Sequence, residues 1–338
     1  MKILVTGGLG FIGSHTVVAL LNEGFEVVII DNLSNSSIGV LEGITKITNQ
    51  TPEFHKLDLR DKERVANFFE ANQDIEGIIH FAASKAVGES VEKPLLYYEN
   101  NINTLVFILQ EMRRKELSNF IFSSSCTVYG QADELPITEN APVKQAESPY
   151  GNTKQIGEEI IGDFAKTNEK FKAIALRYFN PIGAHPSAEI GELPIGTPQN
   201  LVPYITQTGA GIREELSVFG DDYPTEDGTC IRDYIHVMDL AEAHVVALQR
   251  LIKNNNKKNY EVFNLGTGTG NSVLEVIKSF EKVADQKLPY KLVDRRPGDV
   301  ISAYADTTKA NSDLGWTARF NLEDALASAW KWQQKQPS

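Results

Sequence analysis

Thr6-Gly7-Gly8-Leu9-Gly10-Phe11-Ile12-Gly13 decides how this chain is read. The stretch follows the apolar run Ile3-Leu4-Val5 and opens a segment from about Phe11 to Asn22 whose apolar positions are Val17, Val18, Leu20 and Leu21. A strand, a glycine turn and a helix in that order form the entrance to a dinucleotide site. Glycine allows the tight turn and lets the backbone come close to a pyrophosphate. The helix start adds free N–H groups and a positive dipole end. Gly7, Gly10 and Gly13 are therefore candidate cofactor-binding residues, although their spacing departs from the Gly-x-Gly-x-x-Gly of many dehydrogenases, a difference that Gly8 partly blurs. Asp31 ends the next apolar run, 18 positions after Gly13. A carboxylate there accepts hydrogen bonds from an adenosine ribose and repels a 2′-phosphate. No Arg stands between Asn32 and Ser37, so NAD is favoured over NADP. The plain alternative is that Asp31 starts a turn.

Outward from this turn, short apolar runs recur at Val27-Val28-Ile29-Ile30, Phe54 to Leu57, Ile78-Ile79-His80, Phe120-Ile121-Phe122 and Ile174-Ala175-Leu176. Continuous apolar runs separated by helical stretches predict a parallel sheet covered on both faces. Right-handed crossovers then give a doubly wound, Rossmann-like α/β fold. Beyond Asn180 the chain is rich in Pro and Gly up to Pro198, which predicts entry into a smaller α/β domain. The helical pattern from Asp239 to Ile252 and the apolar Val262-Phe263-Asn264-Leu265 predict a return to the sheet. The expected division is residues 1–180 for the dinucleotide, with a return at about 234–266, and residues 181–338 mainly for the substrate. The polar run Lys253 to Asn259 reads as a surface loop.

Composition narrows the function classes. The 338 residues are 41% apolar and 23% charged, with a formal net charge of −12. That balance argues against a nucleic-acid surface; an anionic ligand needs a local Arg or Lys pocket. Two cysteines, Cys126 and Cys230, make no disulfide framework and fit a reducing cytoplasm. The six histidines show no zinc-type spacing with them, so no metal is expected. His80 and His236 read as core and capping residues. No apolar run is long enough to cross a bilayer, and no signal-peptide pattern follows Met1.

Tyr150-Gly151-Asn152-Thr153-Lys154 follows Pro149 and begins a helical stretch. Positions four apart share a helix face. A phenol is a weak base at neutral pH, but a neighbouring ammonium and an oxidised nicotinamide both favour the phenolate. Tyr150 and Lys154 are thus a candidate acid–base pair. Ser125, at the end of Phe120-Ile121-Phe122-Ser123-Ser124-Ser125, falls where such sheets bind ligands and can hydrogen-bond a substrate oxygen.

With these residues in view, the chain resembles the extended short-chain dehydrogenase/reductase family over nearly its whole length, and within it the UDP-glucose 4-epimerases. The specific stretches are Lys85-Ala86-Val87-Gly88-Glu89-Ser90, Phe122-Ser123-Ser124-Ser125, Arg177-Tyr178-Phe179-Asn180-Pro181, Asp222 to Thr229, and Arg232-Asp233-Tyr234-Ile235-His236-Val237. The resemblance implies that Phe11, Ile12, Asp31, Asn32, Asn35, Ser36, Asp58, Leu59, Phe81, Ala82, Lys85 and Asn100 surround NAD, with Asp58 at the adenine edge. It places Tyr150, Lys154 and Tyr178 by the nicotinamide. It implies that Lys85, Ser125, Tyr150, Asn180, Asn200, Leu201, Phe219, Arg232, Arg296, Asp299 and Ala303 meet a UDP-sugar. Guanidinium forks suit a diphosphate; the bland alternative for Arg232 and Arg296 is ion pairing with Asp233 or Asp299. A homodimer formed through helices is also implied.

The implied reaction is reversible hydride transfer at sugar C4 through a 4-keto intermediate that turns its other face to the cofactor. Phe11 stands where Tyr is common in the family and Cys126 where Ala is common, both tolerable apolar exchanges. Ala303 occupies a position that is either large or small in the family; a small residue leaves room for an N-acetyl group at sugar C2, as in UDP-GlcNAc and UDP-GalNAc. Rival readings are a dehydratase, whose family pattern has an Asp-Glu pair at Cys126-Thr127, a decarboxylase, with Glu at Thr127, and a non-catalytic NAD-binding protein.

Overall fold

The computed structural model of the protein describes residues 1–296 and 298–336. From the N-terminus the elements are β1 (Lys2–Thr6), α1 (Phe11–Asn22), β2 (Glu26–Asp31), α2 (Gly39–Thr48), β3 (Glu53–Lys56), α3 (Lys62–Ala71), β4 (Ile75–His80), α4 (Val87–Glu92), α5 (Pro94–Arg114) and β5 (Asn119–Ser125). A single 3₁₀ turn, Cys126–Tyr129, follows β5. Then come α6 (Pro149–Thr167), β6 (Lys172–Tyr178), β7 (Asn180–Ile182), α7 (Leu201–Gly209), β8 (Leu216–Phe219), β9 (Ile231–Arg232), β10 (Tyr234–His236), α8 (Val237–Ile252), β11 (Tyr260–Leu265), β12 (Asn271–Ser272), α9 (Val273–Ala284), β13 (Tyr290–Val293), β14 (Ser302–Ala303) and α10 (Leu322–Lys335).

Seven strands form one sheet in the order β11-β6-β5-β4-β1-β2-β3, and every pairing in it is parallel. The predicted doubly wound fold is present, and the Val262 to Leu265 run does return to the sheet as β11, beside β6. Strand alternation divides the apolar residues between two faces. Ile3, Val5, Ile29, Ile79, Ile121, Ile174 and Leu176 pack with α1 and α8 residues such as Val17, Leu240 and Leu248. Leu4, Val28, Ile30, Ile78, Phe120 and Phe122 pack against α3, α5 and α6 through Phe69, Leu105, Ile108 and Ile161. Both faces are therefore dry, which is why the strands read as unbroken apolar runs.

A separate core joins α7, α9, α10 and β8 through Val202, Ile205, Val218, Val276, Phe280 and Leu326. Its helices start on strong local signals: Ser272 with Glu275 caps α9 and Asn321 with Asp324 caps α10, each a reciprocal capping box. Lys253 to Asn259 is a connection between α8 and β11, as expected.

Four histidines are buried as neutral rings. Burial pulls His15 and His80 down to about 3 and His236 and His244 to about 4. The unfolded chain takes up protons near pH ~6.5, whereas the folded chain resists them until far lower pH. The contribution to stability is thus full above that value and is lost as pH falls through the window down to the folded values. We expect the unfolding free energy to fall between pH 7 and pH 5 by on the order of 1 kcal/mol per histidine, read as a lower urea midpoint at unchanged m. An unchanged midpoint would show that these rings are not buried neutral.

Candidate active site

The carboxyl ends of the strands gather the predicted residues. Thr6 lies level with His80 and Ser125 level with Tyr178. The chain order reverses between β1 and β4, so the glycine turn sits at the switch point where open α/β sheets hold ligands.

The turn is built for close approach. Gly7 has φ +67°, and a Cβ there would lie 2.9 Å from Ala82 N. A Cβ on Gly13 would lie 2.2 Å from the Gly7 carbonyl oxygen. Gly10 is the N-cap of α1, and no side chain caps that helix. The N–H groups at Phe11, Ile12 and Gly13 thus begin a helix aimed out of a cradle that any Cβ would fill, which fits a dinucleotide phosphate. Asp31 ties into the turn: Oδ2 accepts from Leu9 N at 3.1 Å, and Oδ1 accepts from Leu33 N at 2.9 Å and Ser36 Oγ at 2.8 Å. The turn reading of Asp31 therefore holds, and its carboxylate also bonds to the glycine turn at Leu9.

Asn32 donates to Asp58 at 3.4 Å, and Arg60 Nη2 meets Asp58 at 2.7 Å. The Arg60 guanidinium, first among the causes, holds the Asp58 carboxyl down at about 2. Leu59 is buried in the core beneath, so it offers a ligand only its backbone. Asn35 stands exposed on the loop after β2. Ala82 N donates to Thr6 Oγ1 at 3.4 Å, and the Phe81 ring packs on His244 with centroids 4.7 Å apart. Asn100 donates to Ser84 Oγ at 3.1 Å.

The catalytic candidates converge. Ser148 caps α6 by accepting from Gly151 N at 3.1 Å, and Pro149 takes the first helical position. This fixes where Tyr150 and Lys154 fall on the helix. Lys154 is buried, its Nζ donating to the Ser123 carbonyl at 2.7 Å and lying 5.8 Å from the Tyr150 ring centroid. The Ser123 hydroxyl shares a hydrogen bond with Tyr178. Burial pulls Lys154 down to about 8, against the pull of the Glu158 carboxylate. Burial pushes the Tyr150 phenol up to about 12, partly offset by a hydrogen bond with Ser125. In the protein alone desolvation outweighs the neighbouring groups; the expected lowering of this phenol invokes the oxidised nicotinamide together with the ammonium. Ser125 Oγ also accepts from Thr127 N at 3.2 Å and from Thr127 Oγ1 at 3.0 Å. Cys126 is pushed up to about 12 by burial, so it is an inert thiol.

The residues expected to meet the substrate fall into two linked groups. Glu192 Oε1 accepts from Asn200 Nδ2 at 2.7 Å and pairs with Lys85 Nζ at 3.4 Å, joining these two residues; Leu201 follows as the first residue of α7. Asp299 lies 3.6 Å from the Arg232 guanidinium and 2.9 Å from that of Arg296, and Arg296 lies over the Phe219 ring at 5.7 Å. Ala303 is the registered neighbour of Arg232, and Asn180 N donates to the Asp233 carbonyl at 2.9 Å. The ion-pair alternative is therefore realised with Asp299 but not with Asp233, whose carboxylate accepts from Thr267, Gly268 and Ala305 backbone N–H groups.

A family model described as GDP-mannose 4,6 dehydratase matches residues 4–329. UDP-glucose 4-epimerase of Bacillus subtilis is 51% identical over 333 residues, covering 98% of this chain and 97% of that protein. The chain belongs to the UDP-glucose 4-epimerase family. The crystal structure of the Bifidobacterium longum member in complex with NAD+ and UDP superposes with a TM-score of 0.96 at 46% identity, over 100% of this chain and 99% of that one. The Stenotrophomonas maltophila member, with bound NAD and formylated UDP-arabinopyranose, gives 0.94 at 47% identity, over 99% and 98%. Membership of the extended short-chain dehydrogenase/reductases accounts for the broader dehydratase model, and Cys126-Thr127 lacks the carboxylates of the dehydratase pattern.

Sequence reading missed Ser123, Glu158, Arg177 and Glu192. Glu158 carried a legible signal, since it continues the four-residue spacing Tyr150, Lys154, Glu158. Glu192 carried none, because Lys85 is far away in sequence and the eight-residue step to Asn200 follows no helical or strand spacing. We expect Gly13→Ala to lose bound NAD on purification, measured as cofactor released on denaturation, because the new methyl must displace the Gly7 carbonyl. Full cofactor content in that variant would remove the turn from the binding site.

Proposed function

We infer that the protein is an NAD-dependent isomerase that interconverts UDP-galactose and UDP-glucose by inverting sugar C4. The observation that carries this is the buried Tyr150–Lys154–Ser123 constellation at the switch-point edge of the sheet, followed by a 3₁₀ turn, Cys126–Tyr129, that holds no carboxylate. When bound, NAD accepts hydride from C4 and gives it back, and its oxidised ring carries the positive charge that favours the Tyr150 phenolate. Tyr150 takes the proton of the 4-hydroxyl and later returns it. Lys154, as ammonium, holds that phenolate and is itself fixed by the Ser123 carbonyl. Ser125 donates to the C4 oxygen. Without a carboxylate at 126 or 127, the 4-keto sugar has no group to drive elimination or decarboxylation, so its productive fate is reduction from the other face.

In this reading residues 1–180, with the return at 234–266, hold NAD through Gly7, Gly10, Phe11, Ile12, Gly13, Asp31, Asn32, Asn35, Ser36, Asp58, Leu59, Phe81, Ala82, Lys85, Asn100 and Tyr178. The remainder holds the UDP-sugar, with Arg232 and Arg296 on the diphosphate side, Phe219 exposed as a stacking surface, Asn200, Leu201 and Asp299 around it, and Asn180 contributing from the end of the first part. The protein works in the cytoplasm as a homodimer. No helix among the described residues is long and apolar enough to cross a membrane.

Purified protein given UDP-galactose without added NAD is expected to form UDP-glucose, read by NMR of the sugar; no conversion with or without NAD sinks the assignment. Tyr150→Phe should lower kcat by roughly 10²–10⁴-fold, and near-normal turnover would remove Tyr150 from proton transfer. Ala303 is buried in the cluster that Cys126 and Val300 pack against, at the position where the family resemblance ties a small residue to acceptance of an N-acetyl group at sugar C2. UDP-N-acetylglucosamine is therefore a further substrate, and Ala303→Tyr should abolish its conversion while sparing UDP-galactose. Wild-type protein that ignores the N-acetylated sugar while turning over UDP-galactose refutes this extension.

A further inference from the structure

On the helix face that carries Tyr150 and Lys154, the next position in the same spacing is Glu158, and its side chain is buried. Its Oε1 accepts from Arg177 Nε at 2.9 Å and also from the Ser124 hydroxyl; its Oε2 accepts from Arg177 Nη2. The Arg177 guanidinium lies over the Tyr129 ring at 4.8 Å. Ser124 is wholly buried, and it separates Ser123, whose carbonyl holds Lys154, from Ser125, which touches Tyr150. A buried ion pair is a poor source of stability, since similar apolar residues often do as well. What distinguishes this one is its position, because it clamps strand β5 to helix α6 at the point where both present the reacting side chains.

We propose that Glu158 is a positioning residue for the epimerisation, fixing Ser123-Ser124-Ser125 against α6 through the Ser124 hydroxyl and standing as the buried carboxylate one helical turn beyond Lys154. This rests on the assignment of Tyr150 and Lys154 as the proton-transfer pair. The groups facing Lys154 are Tyr150 and Glu158 on its own helix, His80 of β4, and the Ser123 carbonyl and Phe122 ring of β5. His80 is neutral, held so by burial and then by Lys154 itself. The groups facing Glu158 are Arg177 of β6, Ser124 of β5 and Tyr260 of β11, with Tyr129 reaching the pair through Arg177. Among these, Glu158 is the carboxylate that opposes the desolvation of Lys154.

The sign of the effect follows. A reaction that needs the Lys154 ammonium runs fully below the lysine's pKa and fails as pH rises through it, near 8 in the intact site. Removing the carboxylate lowers that pKa further, and the Arg177 charge left unpaired pushes in the same direction.

The test compares Glu158→Gln, Glu158→Asp and Ser124→Ala in full-length protein. In Glu158→Gln the high-pH limb of kcat should move down by about one pH unit, with KM for UDP-galactose within about twofold, because the sugar is held by other residues. The pH titration of the Lys154 Cε resonance in the absence of substrate should move with it. Glu158→Asp should restore most of the shift. Ser124→Ala keeps the ion pair and should lower kcat by about tenfold through misplacement alone, leaving the limb where it was. An unmoved limb and an unmoved Lys154 titration in Glu158→Gln overturn the proposal. If that variant does not fold, Ser124→Ala decides alone, and wild-type kcat there overturns it. Wild-type protein that fails to epimerise UDP-galactose would instead sink the functional assignment, while the Lys154 titration would still report on Glu158.

Discussion

An ammonium buried under a parallel sheet edge is the constraint around which this molecule is arranged. Lys154 is nearly inaccessible, and desolvating a charge is costly unless nearby groups compensate. The protein compensates with a carbonyl from Ser123 at 2.7 Å, the Phe122 ring at 5.0 Å from Nζ, and the Glu158 carboxylate one helical turn further on. The compensation is incomplete, as the lowered pKa of about 8 records. A lysine left close to neutrality responds strongly to any charge brought beside it. The same dry surroundings push Tyr150 up to about 12. In the proposed reaction the positive ring of bound NAD would be the charge that favours the phenolate of this pair.

The sheet makes that arrangement possible. Because all pairings are parallel, every strand ends on the same edge, and Thr6, Asp31, His80, Ser125 and Tyr178 reach it together. The reversal of order at β1 and β4 opens the crevice there. Alternation along β5 divides its residues between the faces: Phe120 and Phe122 anchor one and Ile121 the other, and the three buried serines that follow meet polar partners in Lys154, Glu158 and Thr127.

Most of the sheet was legible in the sequence, since strands covered on both faces read as unbroken apolar runs and the glycine turn marks the first crossover. The helix start at Pro149 was legible for the same reason: Ser148 and Pro149 are local signals. Contacts made across the chain were not. Nothing near Glu192 in sequence announces that it joins Lys85 to Asn200, and nothing near Asp299 except Arg296 announces Arg232. The upward push that burial gives Tyr150 was not legible, because a four-residue spacing shows proximity to a charge but not the depth at which both groups are buried. Desolvation is a property of the packed fold, and no periodicity encodes it.

The Asp299 bridge shows how the proposed substrate pocket manages the opposite problem, charge in excess. Arg232 is largely buried, and Asp299 with it, each side chain 13% exposed, so a bare guanidinium there would be expensive. Sharing Asp299 between Arg232 and Arg296 keeps both guanidiniums compensated while the pocket waits. Arg296 is the more exposed of the two, and it reaches over Phe219 at the rim. An arriving diphosphate offers more negative charge and more acceptor oxygens than one carboxylate, so it can take over the guanidiniums without leaving either unpaired. Under that proposal the Asp299 bridge would hold both guanidiniums together at little electrostatic cost until a diphosphate replaces it.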